Sequence, residues 1–222
     1  GNLAHELKTP FFTVQGYILT LLEGNVKDRK LIQKYLEKAS NATDRLGYII
    51  KDVDLITQFE TGVTNLKIEK FDFCQLIKDL VDSFEIKMKQ KGIEITYDFG
   101  NEKSIFVTAD NLRITQVMSN LIVNSLNYGV ENGTTEIVTK NLSKEKILVR
   151  VIDNGQGISE EDLPRVFERF YRVDKTRNRQ EGGSGLGLAI VKHIVEAHNE
   201  IVYVESSLNV GSEFSFTLTK SD

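Results

Sequence analysis

A histidine and a carboxylate stand side by side near the start of the chain, at His5 and Glu6. The apolar residues that follow recur at spacings of four and three, the pattern of a helix packed against other helices: Leu7, Phe11, Val14, Ile18 and Leu21. In such a helix His5 lies about 200° from Leu7 and faces water, with Thr9 on the same face. An exposed imidazole beside a carboxylate can act as a nucleophile, although the pattern also fits an ordinary surface histidine.

Amide side chains recur along one face of a later predicted helix, over residues 114–128. They are Gln116, Asn120, Asn124 and Asn127, and apolar residues cover the rest of the helix. Because amides are costly to bury without partners, the stripe indicates either a ligand-facing side or a solvated polar face. Amide oxygens suit a Mg²⁺ ion that keeps several waters and reaches phosphate oxygens.

A carboxylate ends a predicted strand at Asp153 and is followed by Gly155 and Gly157. A carboxylate in this position can accept a hydrogen bond from an adenine amino group, and the glycines let a ligand approach the backbone. A local turn capped by Asp153 accounts for the same residues equally well.

A glycine-rich segment, Gly182–Gly187, leads directly into a predicted helix that ends near His198. Free backbone N–H groups and the positive end of a helix make an anion site. A Rossmann site stays open as an alternative, although the strand expected before its glycines is missing, and no Walker motif is present. The preceding residues 165–179 hold six Lys or Arg against two acids, which suits a mobile basic lid over a triphosphate or a solvated charge cluster.

The elements that must position these groups begin with two helices. The first ends at Gly24 and Asn25, and the second runs from about Asp28 to Glu60 with the same apolar alternation. A helical hairpin alone buries too little to be stable, so we expect two hairpins to pair into a four-helix bundle and the chain to form a homodimer. Residues 61–65 have the composition of a linker.

The remainder of the chain alternates between helices and strands. Helices are predicted over 72–91, 110–128 and 186–198, strands over 93–99, 135–141, 146–153, 201–206 and 213–219, and a helical turn near 160–170. This order predicts a two-layer α/β sandwich, in which helices cover one side of a mixed sheet.

Composition narrows the class of protein. The chain has 222 residues, a net charge of −4 and a single cysteine, Cys74. The charge gives no reason to expect nucleic-acid binding, and one cysteine excludes an internal disulfide framework. No apolar run approaches the roughly 20 residues needed to span a bilayer.

The motifs taken together resemble those of the sensor histidine kinases of two-component systems, over essentially the whole chain. Ala4–Pro10 is similar to the H-box of that family. Four later segments are similar to its N, G1, F and G2 boxes, in the family's order: Asn120–Asn124, Asp153–Gly157, Phe167–Phe170 and Gly183–Gly187. Gly211–Phe214 resembles the trailing G3 element.

The resemblance implies a dimerisation and phosphotransfer domain over 1–62 and an ATP-binding catalytic domain of the Bergerat type over 63–222. It implies that His5 accepts the phosphoryl group, that Glu6 is the base that orients His5, and that Thr9 takes part in removing phosphate from the partner. The implied nucleotide contacts are Asn120, Asn124, Asn127, Tyr128, Asp153, Gly155, Gly157, Arg172, Lys175, Gly183, Gly185, Leu186 and Gly187. Asn124, with Asn120 beside it, is the implied Mg²⁺ ligand.

The implied activity is ATP-dependent phosphorylation of His5, followed by transfer to an aspartate on the receiver domain of a response regulator. The implied setting is the cytoplasmic portion of a parent protein anchored in the cell membrane. Asn127 stands where the family usually has Lys, which keeps open a nucleotide-binding scaffold or a phosphatase-biased protein with weak kinase activity. A chaperone or topoisomerase type of ATPase is disfavoured, because that class has a carboxylate where this chain has Asn120.

Overall fold

A computed structural model describes residues 2–24, 26–62, 65–173 and 184–221. The chain divides into two compact units, Gly1–Thr57 and Gln58–Asp222. The first is a helical hairpin and the second an α/β sandwich, so the predicted order of a hairpin followed by a sandwich is confirmed.

The first unit consists of helix α1, Asn2–Leu22, and helix α2, Arg29–Glu60, whose last three residues belong to the second unit. The two helices meet through the rings of Tyr17 and Tyr35, whose centroids are 5.2 Å apart. The ammonium group of Lys38 lies 5.8 Å from the centroid of the Tyr17 ring and extends this contact. No helix in the described ranges is long and apolar enough to cross a membrane.

Apolar side chains of the hairpin are divided between a small core and an open surface. In α2 the buried residues are Ala39, Ala42, Ile49, Leu55 and Ile56. The large apolar residues that remain exposed are Phe11, Phe12, Ile18, Leu19, Leu22, Leu36, Tyr48 and Ile50. Two of the predicted packing positions, Phe11 and Ile18, are therefore 55% and 44% exposed within one hairpin.

The second unit contains seven strands, four helices and a 3₁₀ turn within its described residues. In chain order they are β1 Ile68–Asp72, α3 Phe73–Ser83, α4 Glu85–Lys91, β2 Glu94–Asp98, β3 Phe106–Asp110, α5 Asn111–Tyr128, β4 Thr134–Asn141, β5 Lys146–Asp153, the turn Leu163–Arg165, α6 Gly187–Ala197, β6 Val202–Ser207 and β7 Gly211–Thr219. The main sheet has the order β2-β4-β5-β7-β6, with β2 parallel to β4 and the other pairs antiparallel. The predicted mixed sheet is confirmed.

The core of this unit lies between the sheet and its helices. Alternate residues of β5 are buried, as the two-residue period of a strand requires, and Phe214, Phe216 and Leu218 of β7 are at most 2% exposed. Helix α5 packs against α6 and against β5. The residues at the ends of β5 and α5 are therefore held in place by the same packed core.

Two local features differ from the prediction. The helix expected over 72–91 is broken at Phe84, whose ring is buried while α4 has no buried residue. Strands β1 and β3 were not predicted, and they form a separate antiparallel pair. The two strands are far apart in the chain, so the sequence of either five-residue segment alone does not indicate that they pair.

Helix ends follow the expected chemistry. The Asp110 carboxylate accepts from the backbone N–H of Arg113 and begins α5. Asn199, shortly after the end of α6, takes the left-handed conformation with φ +57°. The ring of His198 is hydrogen-bonded to the Ile194 carbonyl oxygen (2.8 Å) and accepts from the Asp110 N–H (3.0 Å), so it links the end of α6 to the start of α5.

Candidate functional site

His5 lies on α1 with an exposed side chain, as the helical spacing predicted. The hydroxyl of Thr9 donates to the carbonyl oxygen of His5 at 3.3 Å, one turn away. Glu6 is partly buried, and its Oε2 lies 3.7 Å from a guanidinium nitrogen of Arg45 on α2. The first unit therefore presents an accessible imidazole, with a carboxylate next to it that faces the second helix.

The amide stripe of α5 lies partly buried along one side of the helix. Asn120, Asn124, Asn127 and Tyr128 are all of intermediate exposure. Seven residues on the other side are buried: Ile114, Val117, Met118, Leu121, Ile122, Ser125 and Leu126. The Asn120 amide nitrogen donates to the carbonyl oxygen of Gly187 at 3.2 Å. This bond brings the amide stripe and the glycine segment together, and it leaves the oxygen of Asn120 as an acceptor.

Asp153 ends β5 and is 9% exposed. Its Oδ1 accepts from the backbone N–H of Gly155 at 2.9 Å, and the N–H of Ser212, opposite on β7, also donates to this carboxylate. Burial raises the pKa of Asp153, and the two backbone hydrogen bonds offset part of that rise. A buried carboxylate held by the backbone is an acceptor in a fixed position for an amino group.

A pair of buried hydroxyls lies close to Asp153. Thr135 on β4 is paired with Asp153 in the sheet and is fully buried, and its hydroxyl is hydrogen-bonded to that of Ser125 on α5. This contact ties the helix with the amide stripe to the strand pair that carries the carboxylate.

The two glycines after Asp153 are required by the protein's own backbone. A Cβ on Gly155 would lie 2.5 Å from the Tyr128 carbonyl oxygen, and one on Gly157, where φ is +69°, would lie 2.0 Å from the Ser207 carbonyl oxygen. The sequence left open whether these glycines admit a ligand or form a turn. The structure shows that they let the turn approach the end of α5 and the β6–β7 loop.

The glycine segment is fixed on its other side by Phe170. The N–H of Phe170 donates to the Gly185 carbonyl at 2.8 Å, and a Cβ on Gly185 would lie 2.9 Å from the Phe170 backbone. Both residues have positive φ, +61° and +74°. Leu186 is buried, and Gly187 begins α6. Two further predicted contacts, Lys175 and Gly183, lie outside the described residues.

Arg172 contributes a buried nitrogen to this region. Its Nε is buried and has no hydrogen-bond partner among the described residues. An unpaired guanidinium nitrogen is costly, and a phosphate oxygen is a good acceptor for it. The residues present therefore fit a nucleotide phosphate. Within the described ranges, no three His, Cys, Asp or Glu side chains are grouped so that they could hold a metal ion.

Sequence reasoning missed three contributors to these sites. Arg45 reaches Glu6 across the hairpin, Ser212 reaches Asp153 across the sheet, and Thr135 links Asp153 to α5. The first two depend on the register between separate elements. A signal existed for Ser212, which lies inside the segment identified as G3-like.

Two family models match the chain. The model described as histidine kinase-, DNA gyrase B- and HSP90-like ATPase covers residues 109–222, and the His Kinase A (phospho-acceptor) domain covers residues 1–62. Sensor histidine kinase WalK of Bacillus subtilis is 34% identical over 219 residues, which is 98% of this chain and 36% of that protein. The chain thus spans about a third of that relative.

Solved structures agree with the family models. The Acinetobacter baumannii histidine kinase AdeS matches with a TM-score of 0.78 at 26% identity, over 98% of both chains. Histidine kinase ThkA in complex with response regulator protein TrrA matches with a TM-score of 0.75 at 25% identity, over 98% of this chain and 60% of that one. The chain belongs to the sensor histidine kinases, with a phospho-acceptor domain followed by an ATP-binding domain of the ATPase family named above.

Proposed function

We propose that the chain catalyses ATP-dependent phosphorylation of His5 and passes the phosphoryl group to an aspartate of a response regulator. The phosphotransfer domain is assigned to residues 1–62 and the ATP-binding domain to residues 63–222. The observation that carries the proposal is that one chain holds an accessible imidazole on α1 and, in its second unit, a buried acceptor carboxylate beside a stripe of amides.

The nucleotide is assigned to the region between α5, the end of β5 and the start of α6. Asp153 accepts from the adenine amino group, Tyr128 lines the pocket, and Gly155 and Gly157 shape its floor. Gly183, Gly185, Leu186 and Gly187 lie at the phosphates, where the start of α6 favours negative charge. Arg172, whose Nε has no hydrogen-bond partner among the described residues, and Lys175 bind the phosphate tail.

The amides of Asn124 and Asn120 are assigned to Mg²⁺, and Asn127 lies next to them on the same stripe. When bound, Mg²⁺ neutralises charge on the phosphates. The oxygen of Asn120 is oriented for such a ligand, because its amide nitrogen is already bonded to Gly187.

The reaction is an in-line displacement in which positioning and electrostatics supply most of the catalysis. The Nε2 lone pair of His5 attacks the γ-phosphorus, the bond from that phosphorus to the bridging oxygen breaks, and ADP leaves with the electron pair. Glu6 accepts the proton from Nδ1, which leaves the phosphorylated ring neutral. A relative motion of the two units brings the nucleotide to His5.

A receiver domain is the proposed acceptor of the phosphoryl group, and a relative of the same fold, ThkA, was solved with a response regulator. Pairing of two hairpins into a homodimeric four-helix bundle is proposed because the hairpin exposes the apolar residues named above. Membrane anchoring of the parent protein, with this portion in the cytoplasm, rests on the family resemblance alone.

The test is incorporation of label from γ-labelled ATP into purified protein. Label that is lost in acid and retained in base is expected in the unmodified chain and absent in His5→Gln. The matched control is His193→Gln, because His193 is partly buried on α6, outside the assigned sites, and should keep full labelling.

Equal labelling of His5→Gln and the unmodified chain would overturn the assignment of the acceptor. Asn127 and Thr9 favour a second candidate, a scaffold or a phosphatase-biased protein. This candidate predicts that the unmodified chain binds a fluorescent nucleotide and that Asp153→Asn does not. It also predicts that neither of these two proteins acquires phosphohistidine.

A further inference from the structure

An ion pair crosses the hairpin next to the proposed phospho-acceptor. Nη2 of Arg45 on α2 lies 3.7 Å from Oε2 of Glu6 on α1, and the two side chains are 28% and 22% exposed. Glu6 is the residue after His5, so any force on its carboxylate acts beside the reacting imidazole. The proposed chemistry has no role for Arg45.

The ion pair places Nη2 of Arg45 beside Oε2 of Glu6. A carboxylate has a second oxygen with its own lone pairs, and the proposed reaction uses that oxygen. In the proposed reaction Glu6 must be ionised and must present an oxygen to Nδ1 of His5. An anchored Oε2 turns Oε1 into the acceptor and restricts the rotation of the carboxylate.

The strength of the ion pair decides whether Arg45 helps Glu6 to act on His5 or holds Glu6 away from it. A partly exposed ion pair at this separation biases a conformational equilibrium roughly fivefold, because solvent screens it and side-chain entropy opposes it. A bias of that size is too small to withhold Glu6 from His5. It is large enough to raise the population of Glu6 carboxylates that are correctly turned toward His5.

We infer that Arg45 is a positioning residue for phosphorylation of His5, acting through Glu6. The inference rests on the proposed function. In the step it assists, the Nε2–phosphorus bond forms, the bond to the bridging oxygen breaks with its electrons on ADP, and the Nδ1 proton moves to Oε1 of Glu6. Arg45 stays outside this exchange and holds the acceptor in place.

The test compares Arg45→Met, which keeps the length of the side chain without its charge, with Arg45→Lys, which restores the charge. At saturating ATP we expect kcat for phosphorylation of His5 to fall roughly fivefold in Arg45→Met, with the KM for ATP unchanged, and to recover in large part in Arg45→Lys. Lys34→Met, an exposed position on the same helix, is the matched control and should behave as the unmodified chain.

A double-mutant cycle separates positioning from a purely structural role. If Arg45 acts through Glu6, then Arg45→Met has no further effect in a Glu6→Gln background. The inference is overturned by an equal loss in both backgrounds, by an unchanged or raised kcat in Arg45→Met, or by a loss that appears only in KM. If Arg45→Met does not fold, Arg45→Lys with and without Glu6→Gln decides by the same comparison.

Failure of this inference is distinct from failure of the proposed function. An unmodified chain that acquires no phosphohistidine overturns the proposed function and the role of Arg45 together. An unmodified chain that is labelled on His5, with Arg45→Met labelled at the same rate, overturns the role of Arg45 alone.

Discussion

The two units solve the burial of apolar surface differently. Helix α2 of the hairpin has 32 residues and five of them are buried, whereas α5 of the sandwich has 18 residues and seven are buried. The hairpin also exposes Leu36 and Ile50 at 54% each, on the helix that should carry its packing surface. In the sandwich, Ile114, Met118 and Phe216 are fully buried.

This difference corresponds to what each unit must do. The proposed nucleotide site needs fixed acceptors and close backbone approaches, and a dense core provides them at Asp153, Gly155 and Gly157. The proposed phospho-acceptor must stay accessible to both nucleotide and receiver, and the hairpin leaves the side chain of His5 exposed. We therefore expect the hairpin, and not the sandwich, to depend on a second copy for stability.

Glycine-to-alanine substitution should have opposite effects in the two units, and this is the largest effect we expect. Gly157→Ala places a Cβ 2.0 Å from the Ser207 carbonyl oxygen at φ +69°, so it should lower the free energy of unfolding of the sandwich by more than about 3 kcal/mol. Gly16→Ala meets nothing within 4 Å inside α1 and should raise the stability of the hairpin by up to about 1 kcal/mol.

Urea unfolding, followed separately for each unit by a probe in that unit, measures both changes. Each substitution serves as the control for the other, because the chemical change is the same. Destabilisation of equal size at Gly157 and Gly16 would show that the contrast in packing between the two units is wrong.

The second-largest difference between the two units should come from a charge placed on an exposed apolar residue. Ile50→Lys puts an ammonium group on the face of α2 that we expect a second hairpin to cover, and should weaken the homodimer by about 2–3 kcal/mol, roughly a hundredfold in its dissociation constant. Ile86→Lys is the matched control, because Ile86 is 71% exposed on α4, and it should change nothing beyond about 0.5 kcal/mol.

Sedimentation equilibrium over a range of protein concentrations measures this effect. A strictly monomeric unmodified chain at micromolar concentration, or equal dimerisation of the two variants, would contradict the expected bundle.

The same contrast explains which parts could be predicted from the sequence. Elements with a long periodic pattern were found, and β5 and the α5 cap at Asp110 lie where the residues placed them. The box-like segments located Asp153 and the amides because chemistry and spacing are both local there. Strands β1 and β3 were missed, because their pairing joins Ile68 to Asp110 and neither segment alternates clearly enough alone.

Contacts between elements account for the rest. The helix breaks at Phe84 without a glycine or proline, and the reason is that the Phe84 ring is buried in the core. The pairing of Arg45 with Glu6 depends on how α1 and α2 are aligned in the hairpin. No local pattern in the sequence records either of these, because each is decided by packing.

A buried carboxylate in the sandwich should give a smaller effect. Glu200 is 5% exposed and accepts from the hydroxyls of Thr217 (2.6 Å) and Thr219 (2.7 Å) and from the ammonium group of Lys146. Burial works against its charge, but the three hydrogen bonds outweigh it and hold the pKa of Glu200 below its ordinary value. Its contribution is present at neutral pH and is lost as the pH falls through that lowered pKa.

Glu200→Gln should therefore cost about 1–2 kcal/mol at pH 7, because the amide brings donors to a site that already holds three donors. The cost should shrink in acid, where the unmodified chain loses the same charge. Chemical unfolding at pH 7 and pH 3 measures both values, with Glu205→Gln on the exposed face of β6 as the control. A cost that is independent of pH would show that the charge of Glu200 is not what stabilises this corner of the sheet.

The hairpin offers the opposite case at Asp52, with the smallest expected effect. Burial on α2 raises the pKa of Asp52 from 3.8 to about 6. The folded hairpin therefore holds a proton that the unfolded chain has released, so stability falls as the pH rises from about 4 to about 6 and stays lower above that. Asp52→Asn removes the buried charge and should stabilise the hairpin at pH 7 by about 1 kcal/mol, after allowance for partial exposure, with little change at pH 3.

Asp54→Asn, exposed on the same helix, should leave both values unchanged, and urea unfolding at fixed protein concentration compares the two. A gain in stability of equal size at both pH values would show that the effect comes from helix propensity. Of the two carboxylates compared, Glu200 in the sandwich would then be the one whose charge makes stability depend on pH.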